Sequence, residues 1–179
     1  AEVDVRPPFP VVEGLYKKPT VVNNVETLAA IPCILKFGAK AFSSVGNNKS
    51  AGTKLVCLDS LFKKPGVYEI DMGTSMKKIV HEIGEGFVQP VKALQVGGPL
   101  GGVIPIKEVE KLNLDFQEFT KAGFMLGHGS IVSIPETFSM VKYIHHLFKF
   151  SSDESCGKCF PGRLGSYRGK EMFDQALNK

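Results

Sequence analysis

The sequence predicts an α+β fold in which one amphipathic helix lies across a small mixed sheet, with helices following. Three observations predict it. Short apolar runs of strand length recur between residues 54 and 134, a single helical stripe separates the second from the third, and long helical periodicity begins after residue 135. At 179 residues, with 43% hydrophobic and 22% charged side chains, the chain can bury a real core. The net charge of +4 is mild and the basic residues are scattered, which argues against nucleic acid as a partner. No stretch approaches the ~18 apolar residues of a membrane span, and no basic-then-apolar signal segment opens the sequence. Four cysteines are too few for a disulfide scaffold.

Residues 1–20 carry Pro7, Pro8, Pro10 and Pro19 and read as an extended arm. Asn23 with Glu26 three residues on fits a capping box, and Leu28, Ile31, Ile34 and Leu35 follow with helical spacing. Pro32 predicts a kink or two short helices, with Gly38 ending the first and Phe42 anchoring the second. Residues 46–52 form a polar loop and a boundary. Lys54–Leu58 and Val67–Ile70 are strands joined by a Lys63–Gly66 turn. Thr74 can cap a helix whose Met76, Ile79, Val80 and Ile83 make the buried stripe, closed by Gly84 and Gly86. Val91–Val96 enters a glycine cluster at 97–102, short helical pieces span 107–121, and Ser130–Ile134 is the next strand. This order is the β-grasp (ubiquitin-like) arrangement. Ser133 and Glu136 flanking Pro135 resemble another capping box, opening a helix through about Phe150. A loop at 151–165 and a helix over Ser166–Asn178 complete the chain.

The strongest chemical signal is Cys156-Gly157-Lys158-Cys159. That spacing lets two sulfurs reach one metal or iron–sulfur centre; a redox dithiol, a zinc site shared with a second chain and plain surface thiols stay open. Cys33 and Cys57 lie in apolar stretches and are expected to be buried. Gly84-x-Gly86 and Gly127-x-Gly129 lack the third glycine of a dinucleotide fingerprint, so Gly97–Gly102 reads as a tight turn or a close backbone contact. His145 and His146 are adjacent, so one of them is expected in solvent. Asn23, Asn24 and Thr27 have helix capping as their ordinary duty, and holding an anionic or heteroaromatic cofactor as the alternative.

Three segments in order resemble the NADH-binding flavoprotein (51 kDa-type) subunit of respiratory complex I and the diaphorase subunits of NAD-linked hydrogenases and formate dehydrogenases. They are Arg6-Pro7-Pro8-Phe9-Pro10 with Lys18-Pro19-Thr20-Val21-Val22-Asn23-Asn24-Val25-Glu26-Thr27-Leu28; residues 66–105 with Gln95-Val96-Gly97-Gly98-Pro99; and Glu154-Ser155-Cys156-Gly157-Lys158-Cys159 with Pro161. The resemblance implies three parts. These are the C-terminal end of an FMN-binding domain at 1–45, a soluble-ligand-binding (SLBB) β-grasp domain at 46–135, and the incomplete start of an α-helical iron–sulfur-binding bundle at 136–179.

It implies further that the parent subunit takes hydride from NADH onto FMN and passes electrons to a [4Fe–4S] cluster. Val22, Asn23, Asn24 and Thr27 match its FMN-contacting segment, and Cys156 and Cys159 match two cluster ligands. The implied partners are NADH and other subunits of an oxidoreductase complex, notably a [2Fe–2S] thioredoxin-like subunit. The implied location is cytoplasmic, peripheral on the inner face of the membrane. The sequence departs from the pattern at Gly162, which stands where the family has its third cysteine. With two thiolates and part of a flavin pocket, the chain alone is expected to be an inactive fragment that binds neither cofactor. A stand-alone β-grasp module for a soluble ligand or partner protein is the reading from another class.

Overall fold

The computed structural model describes residues 6–47 and 49–178. Residues 10–20 are not an extended arm. They close on themselves around Thr20, whose N–H donates to the Pro10 carbonyl (2.8 Å) and whose hydroxyl accepts from Leu15 N–H (2.9 Å). Helix α1 (Val25–Phe37) is capped by Asn24, one residue later than the sequence pattern suggests, and its side chain accepts from Glu26 N–H at 2.8 Å. Pro32 does not divide it. Pro32 and Leu28 lie on the exposed side, where water can take the carbonyl that loses its partner. The buried stripe differs too: Leu28, Ile31 and Leu35 are exposed, while Glu26, Ala30 and Ile34 form the half-buried row. Gly38 ends α1 at a φ of 87°, and α2 (Ala39–Ser43) carries Phe42 against Gly52.

Five strands follow: β1 (Thr53–Leu58), β2 (Gly66–Asp71), β3 (Val91–Val96), β4 (Gly102–Pro105) and β5 (Ser130–Pro135). Their order across the sheet is β2-β1-β5-β3-β4, with β1 and β5 parallel at the centre and the other pairs antiparallel. This is the β-grasp layout. Cys57 sits opposite Ser130, and Leu94 lies between Ile104 of β4 and Ser133 of β5. Strand β4 escapes the sequence pattern because four residues between a glycine cluster and a helix are too short to show alternation.

The helix under the sheet is α3 (Met76–Lys78), capped by Ser75 rather than Thr74 and continued by a π-type turn over Ile79–Ile83. Met76, Ile79 and Val80 are fully buried with Val56, Leu94, Val96, Ile104 and Ile131, so the amphipathic stripe does form the core. Short helices α4 (Ile106–Val109) and α5 (Phe116–Lys121) close its open end with Val109 and Phe119. Asp115 caps α5 and also accepts from the Asn47 amide at 2.7 Å, tying the loop before β1 to this end.

The other sheet face, at β3 and β5, is met by α6 (Met140–Asp153), whose Tyr143 hydroxyl donates to Gln95 Oε1. Helix α6 begins after Ser139, not at the Ser133 box. Ser133 is strand, and the Asp59 carboxylate takes its N–H (2.7 Å) and hydroxyl (3.0 Å). Beyond the loop, Pro161–Gly165 already turns as a helix into α7 (Ser166–Leu177). Phe148 stacks on Phe173 at 5.6 Å between centroids, and Gly169 lies directly beneath the Phe148 ring. These two packed helices open the helical bundle expected after the sheet.

Candidate functional site

Two thiols occupy the loop between α6 and the turn leading into α7. Cys156 and Cys159 are both exposed, whereas Gly157 between them is buried at a φ of 73° and donates its N–H to Ser155 Oγ at 3.2 Å. Only a residue without Cβ takes that turn without strain, so the glycine folds the loop and leaves both sulfurs outward. Arg163 N–H donates to the Cys159 carbonyl at 2.9 Å, and the Ser166 hydroxyl to the Gly162 carbonyl, which locks the C-terminal side of the loop into the helical turn.

Gly162 faces the same space. A Cβ placed on it would lie 3.3 Å from Cys159 Sγ and 3.0 Å from Ser155 Oγ. Position 162 thus sits beside Cys159 in the loop that also carries Cys156, and of these three positions only two carry donors of the kind a cluster needs. Among the described residues, no group of three or more His, Cys, Asp or Glu side chains is arranged to hold a metal ion. The residues present fit two ligands of an iron–sulfur centre and not a closed set.

The second candidate, around the α1 N-terminus, is open to solvent. Val22, Asn23, Asn24 and Thr27 are all exposed. Asn24 is spent on the cap, while Asn23 and Thr27 make no side-chain hydrogen bond among the described residues, so they fit a ligand-contacting role without being committed to it. The sequence pattern misses Glu26, whose carboxylate accepts from Lys54 Nζ (2.7 Å) and from Leu55 N–H (2.8 Å). Parallel pairing with β5 begins only at Cys57, so the Leu55 amide on the same edge has no strand partner, and Glu26 supplies one. Burial pushes the Glu26 carboxyl up, but the Lys54 and Leu55 hydrogen bonds and the Lys54 charge outweigh it and hold it below the usual carboxylate range. The link pins the α1 N-terminus to the sheet.

Cys33 and Cys57 are exposed, contrary to the burial their apolar neighbours suggest: Cys33 lies on the outer side of α1 and Cys57 on the outer parity of β1. His146 is exposed as expected of one of the adjacent pair. His145 is half-buried, with Nε2 2.7 Å from Asp174 Oδ1 of α7 but poorly aligned for a hydrogen bond. No helix among the described residues is long and apolar enough to cross a membrane.

Residues 142–179 match the family described as the NADH-ubiquinone oxidoreductase-F iron-sulfur binding region. The chain is 44% identical over 167 residues to an NADH-quinone oxidoreductase subunit of Rhizobium meliloti (strain 1021), covering 92% of this chain and 39% of that protein. It is 38% identical over 172 residues to the NADP-reducing hydrogenase subunit HndC of Solidesulfovibrio fructosivorans, covering 95% of this chain and 35% of the relative. A crystal structure of an NAD+-reducing [NiFe]-hydrogenase in the H2-reduced state superposes with a TM-score of 0.83 at 32% identity, over 98% of this chain and 29% of that one. The chain therefore spans well under half the length of these relatives.

Proposed function

We propose, since this chain belongs to the family of NADH-binding 51 kDa-type subunits of complex I and their diaphorase counterparts, that it serves electron transfer from NADH within a multi-subunit oxidoreductase. The supporting observation is the loop that turns Cys156 and Cys159 outward inside the segment matching the iron–sulfur binding region. A flavin accepts a hydride and releases single electrons, and a cluster carries them onward; those are the chemistries FMN and [4Fe–4S] supply when bound.

The chain's own residues have narrower tasks. Cys156 and Cys159 would hold iron as thiolates, and the buried Gly157 keeps their loop in the shape that presents both. The face carrying Val22, Asn23, Asn24 and Thr27 would contact FMN, with the Glu26–Lys54 link holding that helix end against the sheet. In this reading 1–45 is the end of a flavin domain, 46–135 an SLBB β-grasp domain, and 136–179 the opening of the cluster domain. Its partners are the other subunits, among them a [2Fe–2S] thioredoxin-like protein, at the inner face of a membrane. The similarity to a hydrogenase subunit favours a diaphorase as the second reading of the parent.

Anaerobic reconstitution with ferrous iron and sulfide tests the cluster assignment. Bound iron is expected to stay near background in the chain itself and in a Cys156→Ser, Cys159→Ser double variant, and to rise in Gly162→Cys. Equal iron in all three forms would remove the cluster reading.

A further inference from the structure

Between the sheet and α6 lies a cavity of about 260 Å³, apart from the Cys156–Cys159 loop and the α1 N-terminus in its lining residues. Its floor is the Gln95 side chain, from a residue only 4% exposed. The carboxamide oxygen is taken by the Tyr143 hydroxyl, and one N–H donates to the Pro99 carbonyl at 3.2 Å. The second N–H has no partner among the described residues. Ser130, His128 and His146 also line the cavity, and their side chains make no hydrogen bond among the described residues. Val132 and Leu147 complete an apolar wall, and no Asp or Glu is among the lining residues. Gly98, at a φ of 95°, lets the His128 imidazole lie against it, since a Cβ there would be 2.5 Å from Nε2.

The remaining Gln95 N–H is a donor, and the Ser130 hydroxyl and the His128 and His146 imidazoles can donate as well as accept, so beside an apolar wall the site suits a ligand that brings acceptor oxygens on a hydrocarbon body. The volume suits a ligand smaller than a flavin or a dinucleotide. We infer that this cavity is a binding site for a small organic carboxylate. The inference does not depend on the cluster or flavin assignments.

Benzoate and its neutral isostere benzamide, titrated into the 179-residue chain, test it, with the imidazole resonances followed by NMR. The expected result is saturable shifts at His128 and His146 with benzoate, no shift at the distant His81, and affinity about tenfold weaker for benzamide. His146→Ala, at an exposed position, is expected to weaken benzoate severalfold while circular dichroism stays unchanged. The Cys156→Ser, Cys159→Ser variant is expected to bind as the parent chain does. Equal affinity for benzamide, tighter binding of inorganic phosphate than of benzoate, or shifts that do not saturate would each overturn the assignment.

Discussion

A Cβ added to Gly162 would stand 3.3 Å from Cys159 Sγ, so the residue that breaks the cysteine pattern still points at the sulfur it would have joined. Gly162 is not among the residues with a positive φ, so a larger side chain there meets no backbone strain. Among the described residues its only close neighbours are the sulfur and the Ser155 hydroxyl at 3.0 Å, which needs to move by a few tenths of an ångström. Gly162→Cys is therefore expected to fold and to add a third thiolate to one metal. Titration with Co2+ checks this: sulfur-to-metal charge-transfer absorbance should rise by about half over the parent chain, and affinity by about tenfold or more. Unchanged absorbance would mean that position 162 faces away from the metal.

Glu26→Gln tests the link between α1 and the sheet. Lys54 keeps only 7% of its side chain exposed, so removing the facing charge leaves a cation in a poorly solvated place. Gln still accepts from Leu55 N–H, and Glu26 is itself 38% exposed, so the expected cost is modest, about 1–2 kcal/mol by urea denaturation. The sign with pH follows from the direction of the shift. The folded carboxyl titrates below its unfolded value, so the contribution is present above the usual carboxylate range and is lost as pH falls through the depressed folded value. The variant should lose that part of the acid dependence.

Asp115→Ala should cost more. Asp115 caps α5 through Gln117 N–H (2.8 Å) and Glu118 N–H (2.9 Å) while accepting from Asn47 Nδ2 (2.7 Å). Burial pushes its carboxyl up, yet the hydrogen bonds from Asn47, Glu118, Ser50 and Gln117 hold it below the usual range. The expected loss is about 2–3 kcal/mol, combining a lost cap with a stranded amide. Like that of Glu26, this contribution disappears on acidification. Faster amide exchange in both 47–52 and 116–121 would show that Asp115 joins the two segments.

Gly169→Ala sets two effects against each other. Alanine favours a helix interior over glycine by about 1 kcal/mol, but a methyl at 169 would run into the Phe148 ring that stacks on Phe173. The clash is expected to win, with a net loss of about 1–2 kcal/mol and faster hydrogen exchange along α7. A more stable protein would show that Phe148 can turn aside.

Where residues communicate only with their near neighbours along the chain, their order alone was enough to read the result. The stripe Met76, Ile79 and Val80 lies in the core and Gly38 ends α1, because a helical period needs no distant partner to be read. The CxxC spacing likewise shows that its two sulfurs share one loop. Long-range contacts governed the cases in which a polar group had two possible partners. Ser133 reads as a helix cap until Asp59, 74 residues away, takes both its N–H and its hydroxyl and keeps it in the sheet. Glu26 reads as half of a capping box until Lys54 and an unpaired strand amide claim its carboxylate. A local cap and a distant ion pair each contribute on the order of 1 kcal/mol, so the outcome turns on which donors the folded sheet leaves without a partner. That is information only the assembled fold contains.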